Sequence, residues 1–298
     1  MPNPIVSRVQ FKNFGPLPDF EWSGLKSINL IVGRNGTGKT LLLKAIYATL
    51  KSLETYRRGC EPRTLAEILS DKLYWTFQTG SLGALVSKRG DGDLAFEIEI
   101  GGESLSYRVE RNSNEVVDLV SSCKPRRVDS TFFSLASVLP HYSVVRESRE
   151  RDFLFGFDDP CYDLACAASY PVSQRELPGR FDECRQALRE IIGGSLEFNE
   201  TNQSWTFVAD DGNRYSLNVA GETVCKLGAF ERLLGNRYIE PGSVLFFDGF
   251  DAGLDSNASR RLRYIWRLLA KEGVQIFVAA SSPFKMFQEL DDVATLIL

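Results

Sequence analysis

The run Gly33-Arg34-Asn35-Gly36-Thr37-Gly38-Lys39-Thr40 fits the spacing G-x-x-x-x-G-K-[ST]. A chain that carries it is committed to a buried strand, a tight glycine turn and a helix, in that order. The flanks comply: Ile28, Leu30, Ile31 and Val32 read as a buried strand, and Leu41 to Leu50 as an apolar-rich helical run. The motif has chemical content. Its glycines let backbone N–H groups close around phosphates, Lys39 brings a point charge to the β and γ groups, and Thr40 offers a hydroxyl to Mg²⁺. Asn35, Gly36, Thr37, Gly38, Lys39 and Thr40 are therefore the expected nucleotide-binding residues, and a nucleoside triphosphate with Mg²⁺ the expected ligand.

The rest of the chain alternates strand and helix signals. Ile5, Val6, Val9, Phe11 and Phe14 alternate as a strand does, and a second run through Phe20 and Trp22 leads to the motif. Residues 62 to 80 read as helix and turn, and 94 to 100 with 104 to 109 as a hairpin around Gly101-Gly102. From about 126 to 199 periodicity is poor, with a helical piece at 181 to 192, and this stretch is expected to be an inserted, mainly helical lid or docking region. A hairpin at 204 to 208 and 214 to 219 and a helix at 223 to 234 follow. The last sixty residues read strand 243 to 247, helix 257 to 272 with Ser256 as N-cap, strand 274 to 279, short helix 283 to 290 and strand 293 to 298. The fold expected is α/β, with residues 1–125 and 200–298 forming one head.

Val244-Leu245-Phe246-Phe247-Asp248 is an apolar strand ending in a carboxylate, placed to help hold the Mg²⁺ that Thr40 touches. The 298 residues, 43% of them hydrophobic, suffice for a large core without a disulfide or metal staple. No stretch approaches the roughly 20 apolar residues of a membrane span, and the opening residues lack signal-peptide character, so no membrane and a cytoplasmic location are expected. Six scattered cysteines and one histidine, His141, argue against a zinc site, and His141 is assigned no role. The net charge of −4 speaks against a protein coating nucleic acid over its whole surface. The basic pieces around Arg57, Arg126, Arg146 and Arg260 read as solvated faces, with a nucleic-acid groove as the alternative.

Together these segments, with Val9-Gln10-Phe11-Lys12-Asn13-Phe14 and Asp251-Ala252-Gly253-Leu254-Asp255, resemble the ATP-binding head of ABC-type ATPases of the SMC and OLD-like group. Within it, compact bacterial AAA-type ATP-binding proteins are similar at Lys72 to Gln78, Lys226 to Ala229 and Pro241 to Phe246. The resemblance implies ATP as the nucleotide and pairing of two heads across it, as a homo- or hetero-oligomer. Each motif would then face the other protomer's signature helix. Ala220-Gly221-Glu222 stands at that signature, Asp255 matches the D-loop aspartate, and Gln78 matches the Q-loop that senses the metal.

Two departures from the family's pattern bear on chemistry. Gly249 stands where the family has a glutamate that polarises the attacking water, and Ser281 where it has a histidine on the γ-phosphate. Losing the base alone slows such reactions by about 10²-fold or more. The expectation is an ATP-binding switch with weak or absent hydrolysis, with Asp251 as the substitute base if turnover persists. By analogy with the group, it would control a partner effector, a nuclease or toxin, in phage defence or DNA maintenance. An active DNA-stimulated ATPase and a nucleotide-free scaffold are the competing readings.

Overall fold

Strands covered on both faces read as near-continuous apolar runs, and three such runs make the centre of this protein. The structure, a computed structural model, describes residues 3–134, 136–249, 254–280 and 293–298. The chain begins with β1 (Val6–Lys12), β2 (Phe20–Ser23), β3 (Ile28–Val32), α1 (Lys39–Thr55), α2 (Leu65–Phe77), β4 (Leu94–Ile100), β5 (Glu103–Val109) and β6 (Val117–Ser121). Then come β7 (Thr131–Phe133), α3 (Tyr142–Glu150), α4 (Asp159–Ser169), α5 (Phe181–Ile192), β8 (Gly194–Asn199), β9 (Ser204–Ala209) and β10 (Arg214–Ser216). The chain closes with α6 (Glu222–Gly235), β11 (Val244–Asp248), α7 (Ser256–Lys271), β12 (Gln275–Ala280) and β13 (Val293–Ile297).

The central sheet is parallel, in the order β13-β3-β12-β11-β7. Its side chains alternate between two cores. Ile28, Leu30, Phe247 and Val278 face one side, while Ile31, Phe246 and Phe277 face the other. On the second side lie α1 and an antiparallel sheet ordered β2-β1-β4-β5-β6. Tyr47 of α1 meets Phe132 and Phe246 edge-on at 5.6 and 5.9 Å, and Trp22 of β2 meets Phe277 at 6.3 Å. On the first side α6 and α7 bring Phe230 and Trp266 to the Phe247 ring, at 5.5 and 5.1 Å. A three-stranded sheet, β10-β9-β8, adjoins that core through Leu196 and Trp205.

Local signals match these elements. Gly101 and Gly102 take φ of 58° and 81°, the two positive angles that a tight β4–β5 turn requires. The Thr64 hydroxyl accepts from Glu67 N while the Glu67 carboxylate accepts from Thr64 N, closing a capping box on α2. The cap of α7 falls one residue earlier than expected. Asp255, not Ser256, accepts from Asn257 N and Ala258 N, both at 2.8 Å, because a carboxylate reaches two orphan donors at once.

Residues 126–199, expected as an inserted lid, contribute to the central sheet and to one of its cores. Their β7 is the edge strand beside β11, and α4 and α5 bury Leu164, Phe181 and Leu188 in the same core as α6 and α7. Three-residue β7 carries no periodic signal of its own; it is a strand because β11 pairs with it, Phe246 opposite Phe132. The expected helix at 283–290 lies outside the described residues. Among those described, no helix is long and apolar enough to cross a membrane.

Candidate nucleotide site

In a parallel sheet, ligands bind beyond the carboxyl ends of the strands. That edge is where the glycine loop emerges. After β3 the chain turns through Gly36 and Gly38, at φ of 82° and 99°, angles that L side chains rarely adopt. Gly38 also needs to lack a Cβ, which would come within 2.5 Å of Leu17, so Pro16 and Leu17 pack directly against the loop. Arg34, Asn35 and Gly36 are exposed at its tip, ahead of the N-terminus of α1. Lys39 folds back over the loop, donating to Gly33 O at 2.6 Å and Arg34 O at 2.9 Å. Thr37 closes the turn by donating to Arg34 O through both its N–H and its hydroxyl.

Asp248 ends β11, two strands from β3, and receives the Thr40 hydroxyl on Oδ2 at 2.7 Å. Burial pushes its carboxyl above the ordinary carboxylate range, and the Thr40 hydrogen bond with the Lys44 and Lys39 charges offsets this only in part. A hydroxyl beside a partly desolvated carboxylate is a pair of hard oxygen donors, which fits Mg²⁺, and a bound cation would relieve the charge that burial makes costly. Gly249 follows at φ 59°, its N–H donating to Ala279 O at 3.3 Å.

Three further residues reach this edge without having been singled out in the sequence. Phe133 is the register partner of Phe247, so Ser134 leaves β7 beside Asp248. Ser134 Oγ lies 3.8 Å from Cys161 Sγ on α4. Asp158 caps that helix, accepting from Cys161 N at 3.0 Å, and its other oxygen meets Lys44 Nζ at 2.5 Å. Lys44 lies one turn along α1 from Thr40, on the same flank. The sequence did hold a cue, since Asp158-Asp159-Pro160 is an acidic cap followed by proline in the first helical turn.

The remaining expected residues are placed as follows. Gln78 caps the carboxyl end of α2 in a left-handed conformation and directs both ends of its amide to the segment before Asp158. Its Nε2 donates to Phe157 O at 2.7 Å and its Oε1 accepts from Gly156 N at 3.2 Å. Gln78 thus follows a helix, whereas Ser134 follows a strand of the central sheet. Ala220, Gly221 and Glu222 start α6, with Gly221 as its N-cap and both Gly221 and Glu222 exposed. Asp255 is engaged in capping α7. Asp251 and Ser281 lie outside the described residues. His141 is exposed, its ring 6.4 Å from that of Phe157. All six cysteines are free, and no group of three or more His, Cys, Asp or Glu is placed to hold a metal among the described residues.

The fold is shared with solved proteins. The chain is similar to the SMC head domain from Thermotoga maritima, with a TM-score of 0.50 and 14% identity over 93% of this chain and 89% of that one. An Smc head with an extended coiled coil, bound to the C-terminal domain of ScpA from Pyrococcus furiosus, superposes with a TM-score of 0.56 and 12% identity, covering 98% and 93%. The chain has the fold of an SMC-type ABC-ATPase head. The recombination mediator RecF, solved with ATP, shares that head fold at a TM-score of 0.50 and 14% identity, over 98% of this chain and 95% of RecF. In sequence, an alignment 164 positions long, covering 52% of this chain, is 23% identical to structural maintenance of chromosomes protein 6A of Arabidopsis thaliana. It spans 15% of that protein. No protein-family model matches the chain.

Proposed function

We propose that this head binds Mg·ATP between the glycine loop and Asp248 and works as a switch that hydrolyses ATP slowly. The observation that carries the reading is the Thr40–Asp248 contact of 2.7 Å, which joins the two halves of a nucleotide site. The glycine loop supplies the phosphate cradle, Lys39 the charge and Thr40 with Asp248 the metal oxygens. Slow turnover is supported by the side-chain-free Gly249 at the end of β11, where a water-orienting acid would be needed. Bound nucleotide then acts as a ligand that selects a conformation.

The exposed signature tip, Gly221 with Glu222, supports pairing through the ATP face with a second head, its own copy or a relative. Regulation of an effector nuclease or toxin in the cytoplasm, in phage defence or DNA maintenance, is analogy from the group the chain resembles. The test is Mg·ATP binding and single-turnover hydrolysis measured on one sample, beside Lys39→Ala. Tight binding with negligible turnover supports the switch. Brisk turnover stimulated by DNA would make the protein an ATPase motor, and no binding a scaffold.

A further inference from the structure

Lys44 and Asp158 form a partly buried ion pair at the sheet edge that carries the candidate site. Their contact is 2.5 Å, with side chains only 20% and 16% exposed. Asp158 is fixed from three directions. Its Oδ1 accepts from Cys161 N, Lys44 holds its Oδ2, and Gln78 clasps the backbone of the two residues ahead of it. Lys44 is fixed by α1, whose first turn carries Thr40. Both charges act on the Asp248 carboxylate, Lys44 attractively and Asp158 repulsively. An ion pair enclosed to this degree needs a reason, because burying it is at best weakly stabilising.

We propose that Lys44 and Asp158 are positioning residues of the nucleotide site, a balanced pair that sets the charge beside Thr40 and Asp248 and thereby the affinity for Mg²⁺. The inference rests on the nucleotide reading above. It also gives α4 a function, since a movement of that helix would separate Asp158 from Lys44 and change metal affinity without touching a metal oxygen. Partners in the outer shell of a metal site are worth about 10- to 100-fold in affinity.

The two halves of the pair have opposite charge, so they test the proposal by sign. Asp158→Asn keeps a good helix cap and removes the negative charge, leaving Lys44 unbalanced near the metal oxygens. Lys44→Gln removes the positive charge and leaves Asp158 free. Binding of a fluorescent ATP analogue is titrated with Mg²⁺ in the full chain, alongside thermal melting. The variant Asp158→Asn is expected to need about 10-fold more Mg²⁺. Lys44→Gln is expected to need less.

Shifts in the same direction, or no shift in either variant, would overturn the proposal and reduce the pair to a structural contact. If Asp158→Asn melts too low to measure, Lys44→Gln still decides, because a raised Mg²⁺ requirement there contradicts it. The nucleotide reading fails separately: the unaltered chain would then bind the analogue no better than Lys39→Ala at any Mg²⁺ concentration.

Discussion

Thr40 and Asp248 are 208 positions apart in sequence, yet the Thr40 hydroxyl donates to Asp248 Oδ2 at 2.7 Å. The contact exists because β12 sits between β3 and β11 in register, Val32 opposite Ala280 and Asp248 opposite Ala279, so the strands end level. The whole parallel sheet is the ruler that places the two oxygens. Any change that shifts β11 against β12 would therefore break the Thr40–Asp248 contact.

Nucleotide binding should appear as added thermal stability. At a ligand concentration of 100 times the dissociation constant, linkage gives about 2.7 kcal/mol, or several degrees for a domain of this size. Lys39→Ala removes the phosphate charge together with the tethers to Gly33 O and Arg34 O. Its melting temperature is expected not to move when Mg·ATP is added, whereas the unaltered chain rises. A rise of equal size in both, followed by calorimetry or dye fluorescence, would show that ATP binds elsewhere.

Restoring a glutamate at Gly249 looks from the sequence like a simple rescue of hydrolysis. The backbone says otherwise. At φ 59° Gly249 occupies the left-handed region, where a side chain costs about 1–3 kcal/mol. Gly249→Glu is thus expected to melt several degrees lower and, on a strained backbone, to recover little turnover. Single-turnover assays beside melting curves check this; full hydrolysis at unchanged stability would refute it.

The glycine loop, its flanking strand and helix, and the Asp248 strand were all legible, because each is a continuous segment with its own spacing. Helix α5 was read to the residue, its hydrophobic period being complete within twelve positions. The short β7 was not legible, since its only evidence is a neighbour more than a hundred residues away. With β7 unseen, Ser134 and the N-terminus of α4 could not be placed at the site, and 126–199 read as an insertion. Gln78 was singled out only through the resemblance, as the Q-loop residue. That both ends of its amide are taken by Phe157 and Gly156 is a property of the folded chain alone.

Asp129 should make stability depend on acid. Burial alone would raise its carboxyl, but the two-pronged Arg58 contact at 2.7 and 2.9 Å and Lys51 at 3.2 Å hold it below the ordinary carboxylate range. A carboxyl with a depressed folded-state pKa adds stability above its ordinary value of about 4, and that stability is lost as pH falls through the folded-state value. Asp129→Asn is expected to cost about 2 kcal/mol at pH 7, and the difference from the unaltered chain should shrink below pH 4. Urea melts at a series of pH values would show a constant difference if the contact were only steric.

The cysteines offer a probe of α4 at the site. Burial pushes the Cys161 and Cys184 thiols up to about 12 and those of Cys166 and Cys225 to about 11, while Cys60 is exposed. Since the thiolate is the reactive form, a disulfide reagent at pH 8 is expected to modify Cys60 within minutes and these four only as the fold opens. Cys161 carries the information. Its sulfur lies 3.8 Å from Ser134 Oγ and its N–H is held by Asp158, so its exposure requires the start of α4 to loosen from the edge where Asp248 sits. With Cys60 replaced by serine, Mg·ATP is expected to slow modification of Cys161 by the factor by which it stabilises the closed form against this local opening, and Asp158→Asn to reduce that protection. Equal rates with and without nucleotide, in a sample that demonstrably binds it, would mean that α4 opens independently of the site.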